Sequence, residues 1–280
     1  MKLLALPLVA LLPLSAAAAA DVHVVDGAGA GEFIEIADAV AAATDGDVVL
    51  VRAGTYALPV VIDGLAIDLM ADVGAHVVLG PGLIARNTGI AQTVTISGLE
   101  LRGGFLFDAC RGSLQVQDVV VPQPPAAAQP AGLAFHFWGQ CGIGESTQTV
   151  RQCDRVSFTG CTLHGAHGMT AGLDGTPGEH GLHVLHSQVA LFDCVLTGGH
   201  GGDPLTGVHP PVYGGAGGDG LHVVGPSSSV VVDRLQATGG VGYVPVQWGE
   251  IAGCDGQPIR EEVPGTAHLV TSPTLAFDVQ

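Results

Sequence analysis

Residues Val156-Ser-Phe-Thr-Gly-Cys-Thr-Leu-His-Gly165 carry a pattern that returns twice further along the chain. They align without gaps on residues 189–198 and, less closely, on residues 230–239. Between the copies lies a second shared pattern, Gly181-Leu-His-Val184 and later Gly220-Leu-His-Val223. A period of about 40 residues, with alternating apolar residues inside each copy and glycine-rich turns between copies, indicates a stack of equivalent coils.

The same register extends toward the N-terminus, through residues 93–103 and 114–121. Aligning all copies predicts one interior column of stacked side chains, formed by Leu99, Val119, Cys161, Cys194 and Leu235. Still earlier, runs of about four apolar residues are separated by Gly, Pro or Asp, too closely for helices to lie between them. The sequence therefore predicts an all-β solenoid built from short strands.

The first 20 residues have the features of a secretory signal. Lys2 supplies a positive start, residues 3–14 an apolar core, and Ala18-Ala-Ala20 a small-residue cleavage site. We expect a secreted chain (extracellular, periplasmic or cell-surface) that begins near Asp21 and has no membrane span after signal removal. Residues 21–280 are predicted to form one domain, with about 240–280 as a C-terminal covering segment. Within it, Leu269-Val270 and Leu275-Ala-Phe277 are predicted to form either a last coil or a cap over it.

Charge excludes one class of partner. Lys2 is the only lysine, and the chain has 26 acidic residues against nine basic ones. A surface with that imbalance repels phosphate, so nucleic acid is not expected as a partner.

The stretch from Ile36 to Tyr56 resembles the start of right-handed parallel β-helix proteins of the pectin-lyase-like superfamily. In that group a helix caps the first coil, and a Gly-Asp-strand-Gly-Thr-Tyr unit begins the barrel. The resemblance implies a single-stranded right-handed parallel β-helix of roughly seven to nine coils. The helical spacing of apolar residues predicts that Phe33 to Ala43 forms the short N-terminal capping helix.

No catalytic branch of the superfamily is matched completely. Gly54-Thr-Tyr-Ala-Leu58 is similar to the Gly-x-Tyr-x-Glu of pectin methylesterases, but leucine replaces the glutamate. Gly199-His200-Gly201 matches the Gly-His-Gly of polygalacturonases, although the chain has no Asp-Asp pair to act as acid and base. Arg102 and Arg111 are weak candidates for a lyase-type base, and Arg86 for a carboxylate clamp. Solvated salt bridges are the alternative for all three.

Histidines at equivalent positions form the remaining candidate constellation. His183 aligns with His222, and His167 with His200, so their imidazoles are predicted to stack one coil apart and to offer metal ligands or catalytic groups. His164 and Asp203, as well as His180, fall in nearby turns. Residues 214–222 fit one copy of a calcium-binding nonapeptide centred on Asp219, which allows Ca²⁺ although no cofactor is required. A purely structural role is the alternative for each.

Cysteines in an exported chain form disulfides where geometry permits. Cys141 and Cys153 flank a polar segment and are predicted to form a local bridge. Cys161 and Cys194 lie in the stacked column, where parallel side-chain vectors favour two buried thiols.

The pattern predicts fold more clearly than activity. We expect a non-catalytic solenoid that recognises extracellular polysaccharide or a surface component, because the repeat is intact and no catalytic set is complete. A polysaccharide lyase or glycoside hydrolase is the alternative, and a structural or adhesive surface protein is a third.

Overall fold

The computed structural model describes residues 20–123, 146–171, 174–204, 212–245, 250–262 and 268–271. The chain winds into coils, and each coil contributes one strand to each of three parallel sheets. Sheet 1 contains, in spatial order, β1 (Val22–Val25), β2 (Val48–Val51), β5 (Asp68–Ala71), β8 (Thr93–Ser97), β11 (Ser113–Gln117), β14 (Arg155–Thr159), β19 (Gln188–Phe192), β23 (Ser229–Asp233) and β27 (His268–Thr271).

Sheets 2 and 3 each have seven strands. Sheet 2 consists of β4 (Val60–Asp63), β7 (Leu83–Arg86), β10 (Phe105–Asp108), β13 (Gln148–Arg151), β18 (Leu182–Leu185), β22 (Leu221–Val224) and β26 (Ile259–Glu261). Sheet 3 consists of β3 (Gly54–Tyr56), β6 (Val77–Leu79), β9 (Leu99–Leu101), β12 (Val120–Val121), β15 (Thr162–His164), β20 (Val195–Thr197) and β24 (Gln236–Thr238). The predicted all-β right-handed parallel β-helix is confirmed.

Two small sheets and one helix complete the described part of the chain. The small sheets pair β16 (Thr170–Ala171) with β17 (Asp174–Gly175), and β21 (Val212–Tyr213) with β25 (Glu250–Ile251). The helix α1 spans Ile36–Ala42 and is shorter than predicted. Phe33 does not join it, because its backbone N–H donates to the Val24 carbonyl and the residue bridges to Val25. No helix in the described ranges is long and apolar enough to cross a membrane.

The predicted interior column is present. Its members lie one coil apart at the corner between sheets 1 and 3, and Val119, Cys161 and Cys194 are at most 1% exposed. Each follows a residue with positive φ, which turns the chain sharply from one sheet to the next; these residues are Gly98, Asp118, Gly160, Asp193 and Arg234. Because every coil turns at the same point, like side chains stack on like and bury a continuous core.

The end of the chain continues the stack, in agreement with the last-coil alternative for Leu269-Val270. β26 pairs with β22 and β27 with β23, so described residues after Gly240 continue the stack rather than only cover it. The repeat could not be recognised in the sequence there, because the residues of β26 and β27 differ from those at the equivalent positions of the earlier copies. Strand pairing uses backbone groups alone, so it persists without the motif.

Asp47 closes the turn after α1. Its carboxylate accepts the Thr44 N–H at 2.7 Å, the Thr44 hydroxyl at 2.9 Å and the Asp21 N–H at 2.9 Å. These donors, the Thr44 backbone first, lower the pKa of Asp47 to about 2.

We expect this turn to weaken in acid. A carboxylate with a lowered folded-state pKa stabilises the fold above its unfolded pKa, and this contribution is lost as pH falls through the folded value. Wild type should therefore be more stable than Asp47→Asn at pH 5, and the difference should close between about pH 4 and 2. Urea midpoints at each pH measure it. A difference that stays constant over this range would contradict the assignment.

A glycine-rich layer extends from the coils between sheets 3 and 2. We define the glycine layer as segments 165–169, 175–181, 198–203, 212–220, 239–243 and 251–257, which leave the barrel and return in pairs. Outgoing segments bond to the next outgoing segment at every third residue, as at Gly165 and Gly168, whose N–H groups donate to the Thr197 and His200 carbonyls. A three-residue repeat is the geometry of an extended polyproline-type helix.

A second set of hydrogen bonds joins outgoing to returning segments. They run from Glu179 N to Ala166 O, Gly199 N to Glu179 O, Gly218 N to Gly199 O, Gly240 N to Gly218 O and Gly256 N to Gly240 O, at 2.7–2.8 Å. The segments approach so closely that only glycine fits: a Cβ on Gly199 would lie 1.8 Å from the Ala166 carbonyl oxygen. Glycine at every third position is the sequence signal for this layer. Because those glycines were assigned only to turns, the layer was not predicted.

Candidate metal centre

A cluster of histidines lies where the glycine layer returns to sheet 2. His183 in β18 pairs in register with His222 in β22, as the repeated Gly-Leu-His-Val pattern predicted. The flanking Leu182, Val184, Leu221 and Val223 point into the core, so strand alternation turns both histidines to the outer face. His180 and Asp219 precede these strands in the same register, because the Gly181 N–H donates to the Asp219 carbonyl.

The three imidazoles are mutually adjacent. Ring centroids are 4.4 Å apart for His180 and His222, 5.0 Å for His183 and His222, and 5.5 Å for His180 and His183. One ligand atom each from His180, Asp219 and His222 can be chosen so that all three lie within 4.8 Å of one another. These three residues are 1% exposed, so the cluster is shielded from bulk solvent.

Hydrogen bonds define the protonation of the rings. The Asp219 N–H donates to His180 Nδ1 at 2.9 Å, which places the His180 proton on Nε2. That Nε2–H faces His222 Nδ1 at 2.9 Å, so His222 in turn carries its proton on Nε2. Glu262 Oε1 lies 3.6 Å from His222 Nε2. His180 and His222 are therefore a directed pair of hydrogen-bonded neutral rings.

Several buried atoms of the cluster have no hydrogen-bond partner. They are His183 Nε2, His222 Nε2 and Asp219 Oδ2. Asp219 Oδ1 accepts the Gln257 N–H at 2.8 Å and Arg260 Nε at 3.1 Å, and Arg260 Nε also lies 3.0 Å from Oδ2 without hydrogen-bond alignment. Buried polar atoms without partners are rare and unfavourable, so their convergence needs a physical explanation.

Burial keeps the rings uncharged. Desolvation lowers the pKa of His180 to about 2, of His222 to about 3 and of His183 to about 4. Desolvation also raises the pKa of the Asp219 carboxyl, although the Gln257 N–H and the Arg260 charge act to lower it. Neutral imidazole is the form that binds metals. The donor set suits a transition metal better than the Ca²⁺ predicted for Asp219, because Ca²⁺ prefers oxygen ligands.

An open groove of about 430 Å³ leads along the outer face of sheet 2 to the cluster. Ile84, Leu106, Thr149 and His183 follow one another across successive strands and form its floor. Arg151 and Leu185 lie beside this row. His183 is therefore shared by the groove and the histidine cluster.

The predicted arginine candidates lie outside the cluster, in surface ion pairs. Arg86 contacts Asp63 at 2.8 Å, Arg102 contacts Glu100 at 2.7 Å, and Arg111 lies 4.0 Å from Asp154. All three guanidinium side chains are about half exposed or more. The structure favours the solvated-salt-bridge interpretation over catalysis for them.

His167 and His200 stack as predicted, but each ring accepts a hydrogen bond from a backbone N–H group. Their rings are 4.6 Å apart and 12° from parallel. His167 Nδ1 accepts the His200 N–H at 2.8 Å, and His200 Nδ1 accepts the Val241 N–H at 2.9 Å. They lie on outgoing segments of the glycine layer, whereas the cluster lies on returning ones.

Two further candidates also lie away from the cluster. His164 ends β15 in sheet 3, and burial lowers the pKa of its ring. Asp203 lines a separate recess of about 350 Å³ with His200 and Tyr243.

Sequence reasoning named His183, His222 and Asp219 and placed His180 nearby, but it missed Arg260 and Glu262. His180-Gly-Leu-His183 and Asp219-Gly-Leu-His222 are aligned copies, which was the available signal. Arg260 and Glu262 lie in and beside β26, where the repeat is no longer legible.

The cysteine predictions divide. Cys161 and Cys194 are buried free thiols, as expected. Cys153 is also a buried free thiol, so the predicted bridge to Cys141 is wrong. Cys141 lies outside the described residues, and Cys254 is disulfide-bonded. Cys153 packs inside the stack beside Cys110, and its thiol donates to the Arg151 carbonyl at 3.2 Å.

The fold and site define a parallel β-helix with a buried histidine cluster. Neither a protein-family profile nor a curated protein matches the sequence. Among solved structures, one described as the crystal structure of pectate lyase Pel9A matches over 88% of this chain and 78% of its own length, at 12% identity and a TM-score of 0.34.

Proposed function

We propose that this protein is an exported β-helix that binds a transition-metal ion such as Zn²⁺ between His180, Asp219 and His222, next to His183. The observation that supports it is that one ligand atom of each of these three buried residues can be chosen so that all lie within 4.8 Å of one another. Two histidines and one carboxylate form a known zinc ligand set, and the fourth position is then left for water or a ligand.

Metal binding uses the existing hydrogen-bond chain. Zn²⁺ would be held by His180 and His222, whose Nε2 and Nδ1 atoms lie 2.9 Å apart, together with the Asp219 carboxylate. The His180 proton would move to Nδ1, where the Asp219 N–H would lose its acceptor and Asp219 Oδ2, 3.4 Å away, would accept the ring N–H instead. A carboxylate that accepts the other ring N–H of a ligating histidine holds the ring in place and makes it more basic.

Isothermal titration tests the proposal on the chain from Asp21, freed of metal with a chelator. We expect one Zn²⁺ per chain, an increase in thermal midpoint on saturation, and weak or no response to Ca²⁺. No saturable heat with Zn²⁺, Cu²⁺ or Ni²⁺ would refute a metal-binding function.

The groove supports a second function, recognition of an extended extracellular polysaccharide. Its floor crosses four strands and combines the apolar Ile84 and Leu106 with the polar Thr149 and His183, and Arg151 lies beside it. Binding pockets commonly pair apolar walls with a few polar groups that orient the ligand. An unbranched chain could follow this row from strand to strand.

A glycan array tests the groove, with Leu106→Glu as the variant and Val73→Glu, at a fully exposed position away from the groove, as the matched control. We expect the Leu106→Glu variant to lose glycan binding and the Val73→Glu variant to keep it. Absorbance of unsaturated products and new reducing ends, with and without Ca²⁺ or Zn²⁺, separates recognition from lyase or hydrolase activity. Turnover of a bound glycan would replace the non-catalytic function with the enzymatic one.

A further inference from the structure

A column of small side chains occupies the corner between sheets 2 and 1. Its members are Thr88, Cys110, Cys153 and Ser187. Each follows a non-glycine residue with positive φ, respectively Asn87, Ala109, Gln152 and His186. The corner therefore has the same shape in four coils, and all four column side chains are buried.

Cys110 and Cys153 are direct neighbours in this column. β10 and β13 pair Asp108 with Arg151, two residues before each cysteine. Hydrogen bonds continue that register through the corner, from Ala109 N to the Arg151 carbonyl at 3.1 Å and from Asp154 N to the Cys110 carbonyl at 2.8 Å. The two thiols are in contact, and each donates to the carbonyl two residues before it, Cys110 to Asp108 at 3.6 Å and Cys153 to Arg151 at 3.2 Å. In-register strands lie about 4.8 Å apart, within the Cα separation that a disulfide spans.

Cys161 and Cys194 provide an internal comparison. They are stacked in the same way, also in side-chain contact, but between the apolar Val119 and Leu235. Cys110 and Cys153 instead lie between the hydroxyl side chains of Thr88 and Ser187, and Ser187 Oγ accepts the Cys153 N–H at 3.0 Å. Contact with Cys153, and then with Thr88, lowers the pKa of Cys110, whereas contact with Cys110 and burial raise that of Cys153. The two pairs therefore differ in the polarity of their neighbours.

We propose that Cys110 and Cys153 form a disulfide between adjacent coils when the exported chain folds in an oxidising compartment. The oxidant is a disulfide donor. The Cys110 thiolate attacks one donor sulfur, forming a mixed disulfide and releasing one donor thiol. The Cys153 thiolate then attacks Cys110 Sγ, forming the bridge and releasing the second donor thiol. The two protons pass to the donor thiols. The reaction precedes complete burial, because both sulfurs are inaccessible in the finished stack.

Peptide mapping gives a direct test, because the mature chain has no lysine and is cut by trypsin only at arginine. The chain from Asp21 is refolded in a reduced/oxidised glutathione buffer, denatured with excess iodoacetamide without reductant, and digested. Residues 103–111 and 152–155 should appear as one linked species, lighter by two hydrogen atoms than the summed peptides. Residues 156–234, which contain Cys161 and Cys194, should carry two alkyl groups.

Alkylation of both Cys110 and Cys153, or linkage of either to a different cysteine, would overturn the proposal. A second measurement compares thermal midpoints with and without reductant. Reductant also opens the Cys254 disulfide in every variant, so the comparison is between variants. The double variant Cys110→Ser with Cys153→Ser should show a smaller loss of thermal midpoint on reduction than wild type, and Cys161→Ser with Cys194→Ser should show the same loss as wild type. Neither readout depends on metal binding, so this inference and the proposed function can fail separately.

Discussion

The His222→Ala variant is expected to lose about 100-fold or more in Zn²⁺ affinity. His222 supplies one of the three proposed ligands, so its removal leaves only His180 and Asp219 to hold the ion. Losing even an outer partner of a ligand typically costs 10–100-fold in metal affinity, and losing a ligand costs more. Competition titration against a chromogenic chelator measures the change.

The matched control for this variant is His200→Ala. His200 is also a stacked, hydrogen-bonded histidine of the glycine-rich region, but it lies outside the cluster. It should bind Zn²⁺ as wild type does. Because His222 is buried, circular dichroism must show that the variant folds, and Asp219→Asn gives a milder second test. Asp219→Asn retains an acceptor of similar shape without the charge, and we expect a 10–100-fold loss. Equal Zn²⁺ affinity in wild type and both cluster variants would refute the assigned site.

The Gly199→Ala variant is expected to be destabilised by more than about 3 kcal/mol, beyond the usual range for an overpacked core. Its Cβ would lie 1.8 Å from the Ala166 carbonyl oxygen and 2.4 Å from the carbonyl carbon. Both atoms are backbone and are held by the Glu179 N–H, so no side-chain rotation relieves the clash. Urea unfolding measures the loss.

Gly27→Ala is the matched control, because its new Cβ would approach nothing closer than a ring carbon of Tyr56 at 3.8 Å. We expect it to be neutral or to stabilise the fold by up to about 1 kcal/mol, through a less flexible unfolded chain. Similar urea midpoints for Gly199→Ala and Gly27→Ala would contradict the packing described for the glycine layer. Gly199→Ala should also weaken Zn²⁺ binding, because the Gly218 N–H donates to Gly199 next to Asp219.

The sequence by itself determined the barrel. Alternating apolar residues in Val156–Gly165 and its copies define which side chains face inward, because strand side chains alternate between faces. Copies of equal register must stack, since each coil leaves a strand edge that only the next coil can satisfy. The same logic placed His183 next to His222, and Cys161 next to Cys194, on adjacent coils without any knowledge of the fold in three dimensions.

Only the tertiary structure decided how the excursions between sheets 3 and 2 pack and what meets at their end. Partners such as Gly199 and Glu179, or Asp219 and Arg260, are joined by backbone and charge contacts across coils that carry no mark in the local sequence. The same is true of Cys110 and Cys153, whose separation in sequence depends on the length of the intervening loop. Contacts between coils follow from the spatial register, which local alternation cannot encode once loops of unequal length intervene.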